Sequence, residues 1–197
     1  MNRCIIPPAA AAVLLASFAP WALAGSNQTE ASSNMSSTHI TQIELGAPPK
    51  TDIRPFQSAK LSLTDAIRIA QQQHKGDTLE VKFEMWDGQP AYFIRASERH
   101  EIWEGRINAN SGQLIGQPRT FTSNQITHAL EQKANAARRT HTSLAQAVRN
   151  AEQQQGGKAI MAKVQVDSTG KANFDVDVVK NGQLQVAQVD ASTDKAG

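Results

Sequence analysis

The feature that most constrains this chain is a helical pattern that occurs twice, 81 residues apart. Ser62, Leu63, Ala66, Ile67, Arg68 and Ala70 of the first copy correspond to Ser143, Leu144, Ala147, Val148, Arg149 and Ala151 of the second. The stretches C-terminal to the two copies also match each other, so the repeating unit is a small domain. In both copies the apolar residues fall at i, i+3, i+4 and i+7, one stripe of a helix with 3.6 residues per turn. Ser62 and Ser143 stand where an N-cap hydroxyl accepts an orphan backbone N–H. Asp65 and Gln146 stand where the second side chain of a capping box reaches back. Gly76 in the first copy and Gly156-Gly157 in the second are placed as left-handed helix stops.

After each helix the period changes from 3.6 to 2. Leu79, Val81, Phe83 and Met85 alternate with Glu80, Lys82 and Glu84, the pattern of a half-buried strand. Asp87-Gly88 signals a hairpin, and Pro90, which cannot donate to a ladder, predicts a loop longer than two residues. Tyr92, Ile94 and Ala96 form a second strand, Glu98-Arg99-His100 the next turn, and Ile102 to Ile107 a third strand. A turn over Asn108–Gly112 precedes Leu114 and Ile115. In the second copy Ile160, Ala162, Val164 and Val166 take the first-strand positions. Phe174, Val176 and Val178 match Tyr92, Ile94 and Ala96 once the loop holds one more residue, and Asn181-Gly182 marks the following turn. Between the copies, Ile126, Ala129, Leu130, Ala134 and Ala137 predict a further helix within residues 124–139.

The predicted fold class is therefore α+β: two tandem helix-plus-antiparallel-sheet units, 61–116 and 142–197, joined by a linker with a connecting helix over 117–141. A domain of about 60 residues buries only about 60% of the surface its unfolded chain exposes. The two units and the connector are thus expected to pack as one cooperative body.

Residues 1–24 read as a secretory signal peptide cut after Ala24. Arg3 supplies the basic region, Ala9 to Ala19 the apolar run, and Ala22-Leu23-Ala24 the small-x-small site. The run is short of the roughly 20 apolar residues of a membrane span, so no stable anchor is expected after cleavage. Residues 25–60 are rich in Ser, Thr, Asn and Gln and are expected to be flexible, with Ile40 and Ile43–Leu45 as a local strand candidate. The single cysteine, Cys4, lies inside the leader. A mature chain without thiols excludes disulfides, cysteine nucleophiles and thiolate metal sites, and favours a bacterial envelope protein.

Without Arg3, 19 basic residues face 18 acidic ones. A net charge of +1 gives no electrostatic drive toward nucleic acid or anionic lipid. The connector is locally basic, with Arg119, Lys133, Arg138 and Arg139 against Glu131, beside a first unit with an acidic excess. This contrast is expected to help the halves pack.

No catalytic, cofactor or metal site is predicted. His100-Glu101-Ile102-Trp103-Glu104 departs from H-E-x-x-H in ending on Glu, and it falls on a strand, where i and i+4 do not share a helical face. His39, His74, His128 and His141 follow no ligand spacing. There is no G-x-S-x-G, and the repeated serines serve as caps. Four residues remain as partner-contact candidates. Arg68 and Arg149 recur at matched positions off the apolar stripe, and Trp86 and Trp103 occur only in the first unit, where an aromatic pair on a sheet face is a place for a partner to dock.

Ser-Leu-x-x-Ala-[Ile/Val]-x-x-Ala, the alternating strands, and the closing turn at Asn108-Ala109-Asn110-Ser111-Gly112 and Asp190-Ala191-Ser192-Thr193 resemble the PepSY domain. That module occurs in propeptides of thermolysin-like metallopeptidases and in bacterial envelope proteins. The second copy departs at its end, with Asp194 where glycine is expected. The resemblance implies a helix over a small antiparallel sheet and no shared catalytic residues. It implies a non-enzymatic periplasmic or secreted protein that acts on an envelope partner, with restraint of a peptidase as one form of that role. A second reading is a periplasmic accessory that binds a small ligand or a metal, iron or haem.

Overall fold

The computed structural model describes residues 53–191. The expected signal peptide, the polar segment as far as residue 52, and the last six residues lie outside them. The described elements are α1 (Arg54–Gln57), α2 (Leu63–Gln73), β1 (Asp77–Trp86), β2 (Gln89–Glu98), β3 (Glu101–Asn108), β4 (Arg119–Phe121), α3 (His128–Arg139), α4 (Leu144–Gln155), β5 (Lys158–Val166), β6 (Ala172–Lys180) and β7 (Gln183–Asp190). The fold is α+β. Seven strands make one antiparallel sheet in the order β4-β3-β2-β1-β5-β6-β7.

Helix, strand, strand, strand thus occurs twice, and the two sets meet through β1 and β5. Val81 pairs with Ala162, its own counterpart at the offset of 81, flanked by Glu80↔Lys163 and Lys82↔Met161. The ladder therefore runs symmetrically about the Val81–Ala162 pair, as in an isologous dimer interface, where one patch pairs with its own copy. Both strands are bulged at the matching place, between Thr78 and Glu80 and between Ala159 and Met161. An extra residue at a bulge shifts the inward-outward alternation, and Thr78 and Leu79 are consequently both buried.

The two capped helices cover one face of this sheet. Ser62 accepts from the Asp65 N–H while Asp65 accepts from the Ser62 N–H; Ser143 and Gln146 do the same for α4. Leu63, Ala66, Ile67 and Ala70 of α2, and Leu144, Ala147, Val148 and Ala151 of α4, join Val81, Tyr92, Ile94, Ile107, Ala162, Val164, Phe174, Val176 and Val189 in one continuous core. Tyr92 donates from its buried ring to the Leu61 carbonyl at 2.7 Å, fixing the approach to α2. The α3 helix is capped by Thr127, buries Ala134, Ala136 and Ala137, and packs against β1, β5 and β6.

Several expectations need correction. The first hairpin loop is two residues, because Trp86 pairs with Gln89 and Asp87 and Gly88 both take positive φ. Pro90 then falls in a pair whose N–H positions point away from β1, and its carbonyl accepts from Ala109. Gly76 is not a left-handed stop, since α2 ends on an extended His74, whereas Gly156 (φ 69°) caps α4 as expected. Gly76 and its counterpart Gly157 share another reason to lack a side chain. A Cβ on either would lie 2.5 Å from a carbonyl oxygen, of Ser97 or of Val179.

Part of the segment expected to be flexible is ordered. Phe56 of α1 is buried and meets Phe83 edge-on at 5.4 Å. The connecting helix starts at His128, later than the apolar spacing suggested, and Ala129 is exposed. Before it the linker adds β4 to the sheet, a strand of three residues too short to show a period-2 pattern. Met85, expected inward, is 50% exposed at the tip of the first hairpin.

Gly105 of β3 lies under the Trp103 indole, where a Cβ would meet the ring at 2.2 Å. The second half has Gln185 and Ala187 at these two positions. Gly105→Ala alone is expected to destabilise by about 1–3 kcal/mol through overpacking and to be close to neutral in a Trp103→Gln background. A urea-unfolding double-mutant cycle measures that coupling.

Candidate functional site

The sheet face away from α2 and α4 carries a lattice of charges set by strand register. One cross-strand row runs Glu104, Arg95, Glu80, Lys163, Asp175, Gln188 across β3, β2, β1, β5, β6 and β7. Arg95 bridges Glu80 and Glu104, each at 2.6 Å, and Lys163 faces Asp175 at 3.8 Å. In the next row Arg106 and Lys82 flank Phe93, and with Arg95 of the first row they surround its ring at 5.1–5.4 Å, which explains how Phe93 stays buried on this face. Arg106 also pairs with Glu84 at 2.7 Å. Opposite charges directly across strands stabilise a sheet, and these cations are consumed by their pairs. Asp177 lies in the same row, paired with Met161 and Val186. Burial raises its carboxyl above the usual aspartate range, with Lys163 opposing the shift and Asp175 adding to it.

The four partner-contact candidates do not converge. Trp86 is 43% exposed on the charged face and stacks under the Arg106 guanidinium at 3.6 Å. Trp103 sits on the helix face, 5% exposed, stacked on His74 at 5.8 Å. The sheet separates the two tryptophans, so they do not form the aromatic pair the sequence suggested. Trp103 is also not on an edge strand, since β4 lies outside β3. Arg68 is exposed and pairs within its helix with Asp65 at 3.4 Å; Arg149 is exposed on α4. Ser62 hydrogen bonds, and secondarily Arg68, hold the Asp65 carboxyl below its ordinary range.

Two cavities occupy equivalent places in the two halves, which sequence reasoning missed. One, of about 240 Å³, lies at the N-terminus of α2 against the start of β5, with Leu61, Asp65, Tyr92, Glu152, Lys158 and Ala159 among its lining residues. The other, of about 160 Å³, lies at the N-terminus of α4 against the start of β1, lined among others by Gln71, Asp77, Thr78, His141, Thr142 and Phe174. Most lining positions correspond at the repeat offset; the side chains do not. Burial, with the charges of Asp65 and Glu152, raises the Tyr92 hydroxyl well above the usual phenol range. Among the described residues no group of three His, Cys, Asp or Glu side chains is placed to hold a metal ion. No helix among them is long and apolar enough to cross a membrane.

The first half of this arrangement matches a known family in sequence. Residues 60–117 match the PepSY family, the peptidase propeptide and YPEB domain. The PepSY match spans α2, β1, β2 and β3, and ends before β4. No curated protein matches the chain in sequence. Among solved structures, a protein described as a "putative lipoprotein" from Clostridium difficile 630 aligns at 17% identity with a TM-score of 0.42, covering 72% of this chain and 93% of that one.

The raised carboxyl of Asp177 gives a signed pH prediction. A carboxylate whose pKa is raised by folding destabilises the native state as pH rises through its ordinary value, and fully so above its folded value. Asp177→Asn should therefore raise Tm at pH 7 and leave it unchanged near pH 3, where both states are protonated. Thermal unfolding at the two pH values checks this.

Proposed function

We propose that the chain is a non-catalytic, extracytoplasmic binding protein with two PepSY-like units, which docks an extended segment of a peptidase along the free edge of β7. The observation that carries this reading is the state of that edge. Among the described residues β7 pairs only with β6, while the opposite end of the sheet is closed by β4 and by an Ile107↔Leu114 bridge. Proteins commonly guard such edges with charge, proline or a bulge. From Gln183 to Val189 β7 has neither charge nor proline and pairs with β6 without a register shift. An unguarded edge of this length offers main-chain hydrogen bonds to an added strand, with alternate side chains for specificity.

The second PepSY-like unit is supported by the repeated element order, the matched bulges and the self-pairing of Val81 with Ala162. The peptidase as partner is supported by the description of the matched family. Export is supported by the leader pattern of residues 1–24. The partner-contact role expected of Arg68, Arg149, Trp86 and Trp103 gives way here to the backbone of β7, with Trp86 the most exposed of the aromatic candidates.

Lys180 and Gln183 close the β6–β7 hairpin, so the N–H groups of Leu184, Val186 and Gln188 point outward. Val186→Pro removes one outward donor and leaves the β6 ladder intact. The mature protein should inhibit a thermolysin-like metallopeptidase, and Val186→Pro should weaken inhibition at least tenfold with an unchanged Tm. Equal inhibition by the variant, or none by the wild type, overturns the proposal. So would sedimentation showing that a second copy of the chain occupies the edge.

A further inference from the structure

We propose that the chain supplies its own occupant of the β7 edge: residues 38–45 add beside β7 as an antiparallel strand and compete there with the partner's segment. The competition rests on the reading of β7 as the docking edge; the pairing itself does not.

The first observation is where the described chain begins. Ile53 lies against the turn that starts β7, since a Cβ on Gly182 would be 4.0 Å from its Cδ1. α1 follows at once, and its Phe56, buried and edge-on to Phe83 at 5.4 Å, anchors the chain at this place. Residues before 53 therefore arrive beside the Gln183 end of β7. From that turn β7 runs toward Asp190. A segment that lies along it and passes directly to Ile53 runs the other way, in the antiparallel sense of every other neighbour in the sheet.

The second observation is the sequence that has to lie there. Between residues 25 and 52 the branched aliphatic residues are Ile40, Ile43 and Leu45, within Thr38-His39-Ile40-Thr41-Gln42-Ile43-Glu44-Leu45. These eight residues equal β7 in length. Thr38, Ile40, Thr41 and Ile43 are β-branched and favour a strand, and Thr41, Ile43 and Leu45 share one face of it at period 2. That face can continue the apolar side of the sheet, which in β7 carries the buried Ala187 and Val189. Pro48-Pro49 then ends any ladder. Residues 46–52 remain to reach Ile53, and seven residues span up to about 23 Å, against the roughly 4.8 Å between neighbouring strands.

The third observation is the state of the edge. It lacks charge and proline from Gln183 to Val189, and Leu184 on it is 39% exposed. Such an edge templates association with further copies unless something covers it. A short tether holds the covering segment at an effective concentration in the millimolar range, so strand addition too weak to occur between molecules can occur within one. A partner then binds only the fraction of molecules whose edge is free, and its apparent Kd rises by the inverse of that fraction.

The test compares the full mature chain with its Thr41→Pro/Gln42→Pro variant. Two adjacent prolines put one of them at a donor position in either register, and both lie outside the described core. Amide hydrogen exchange by NMR reads the outward N–H groups of Leu184, Val186 and Gln188. They should exchange about tenfold more slowly in the wild type, as for an edge free in about one molecule in ten. The amides of Gln185 and Ala187, which face β6, should change little. Inhibition of a thermolysin-like metallopeptidase should strengthen in the variant by the same factor. Slowed outward amides with no inhibition by either chain would leave the pairing standing and remove the peptidase reading. Equal exchange of the outward amides in the two chains overturns the pairing. So does protection that grows with protein concentration, which assigns the edge to a second copy. Unequal exchange with equal inhibition overturns the competition.

Discussion

The pairing of Val81 with Ala162 is the contact on which the rest of the structure depends. Each half is too small to bury much of its own core, and a three-stranded half ending in β1 or β5 would expose an unpaired edge. Joining the two edges removes both, makes the sheet continuous, and brings the stripes of α2 and α4 over one apolar face. The self-pairing also fixes register. A slip of one residue would turn Val81 and Ala162, both fully buried, toward the charged face and bring Glu80 or Lys82 into the core. Matched bulges at Leu79 and Ile160 shift the β1–β2 and β5–β6 ladders at the same place in each half.

Given this symmetry, the informative positions are those where it breaks. At the outer edges, β3 is covered by β4 while β7 has a strand on one side only among the described residues. In the third strand of each half, Trp103 over Gly105 becomes Gln185 beside Ala187, exchanging an indole that packs on His74 for a polar side chain. At the helix N-termini, the aspartate of one capping box becomes a glutamine in the other. Repetition supplies stability, and divergence supplies an edge.

The helices, their caps and the alternating strands were legible because each is written locally, in stripe spacing, a serine three residues before its capping partner, and period-2 alternation. The PepSY resemblance was read from both copies, and the family match falls on the first, over residues 60–117. The features that were not legible depend on through-space neighbours. Nothing near Val81 announces that its partner is its own copy, and the role of Gly76 is set by the Ser97 carbonyl across a strand. The placing of Trp86 and Trp103 on opposite faces depends instead on the pairing of both strands with β2, which alternation along either strand does not state.

Whether the two halves fold as one sheet through β1 and β5 is measured most directly by native-state hydrogen exchange. Amides in the β1–β5 ladder, with those of β2 and β6, should exchange together in the slowest class, at a free energy equal to that of global unfolding. If the amides of β1–β3 and those of β5–β7 instead open with different free energies, the halves are independent domains and the central pairing is not what holds the protein together.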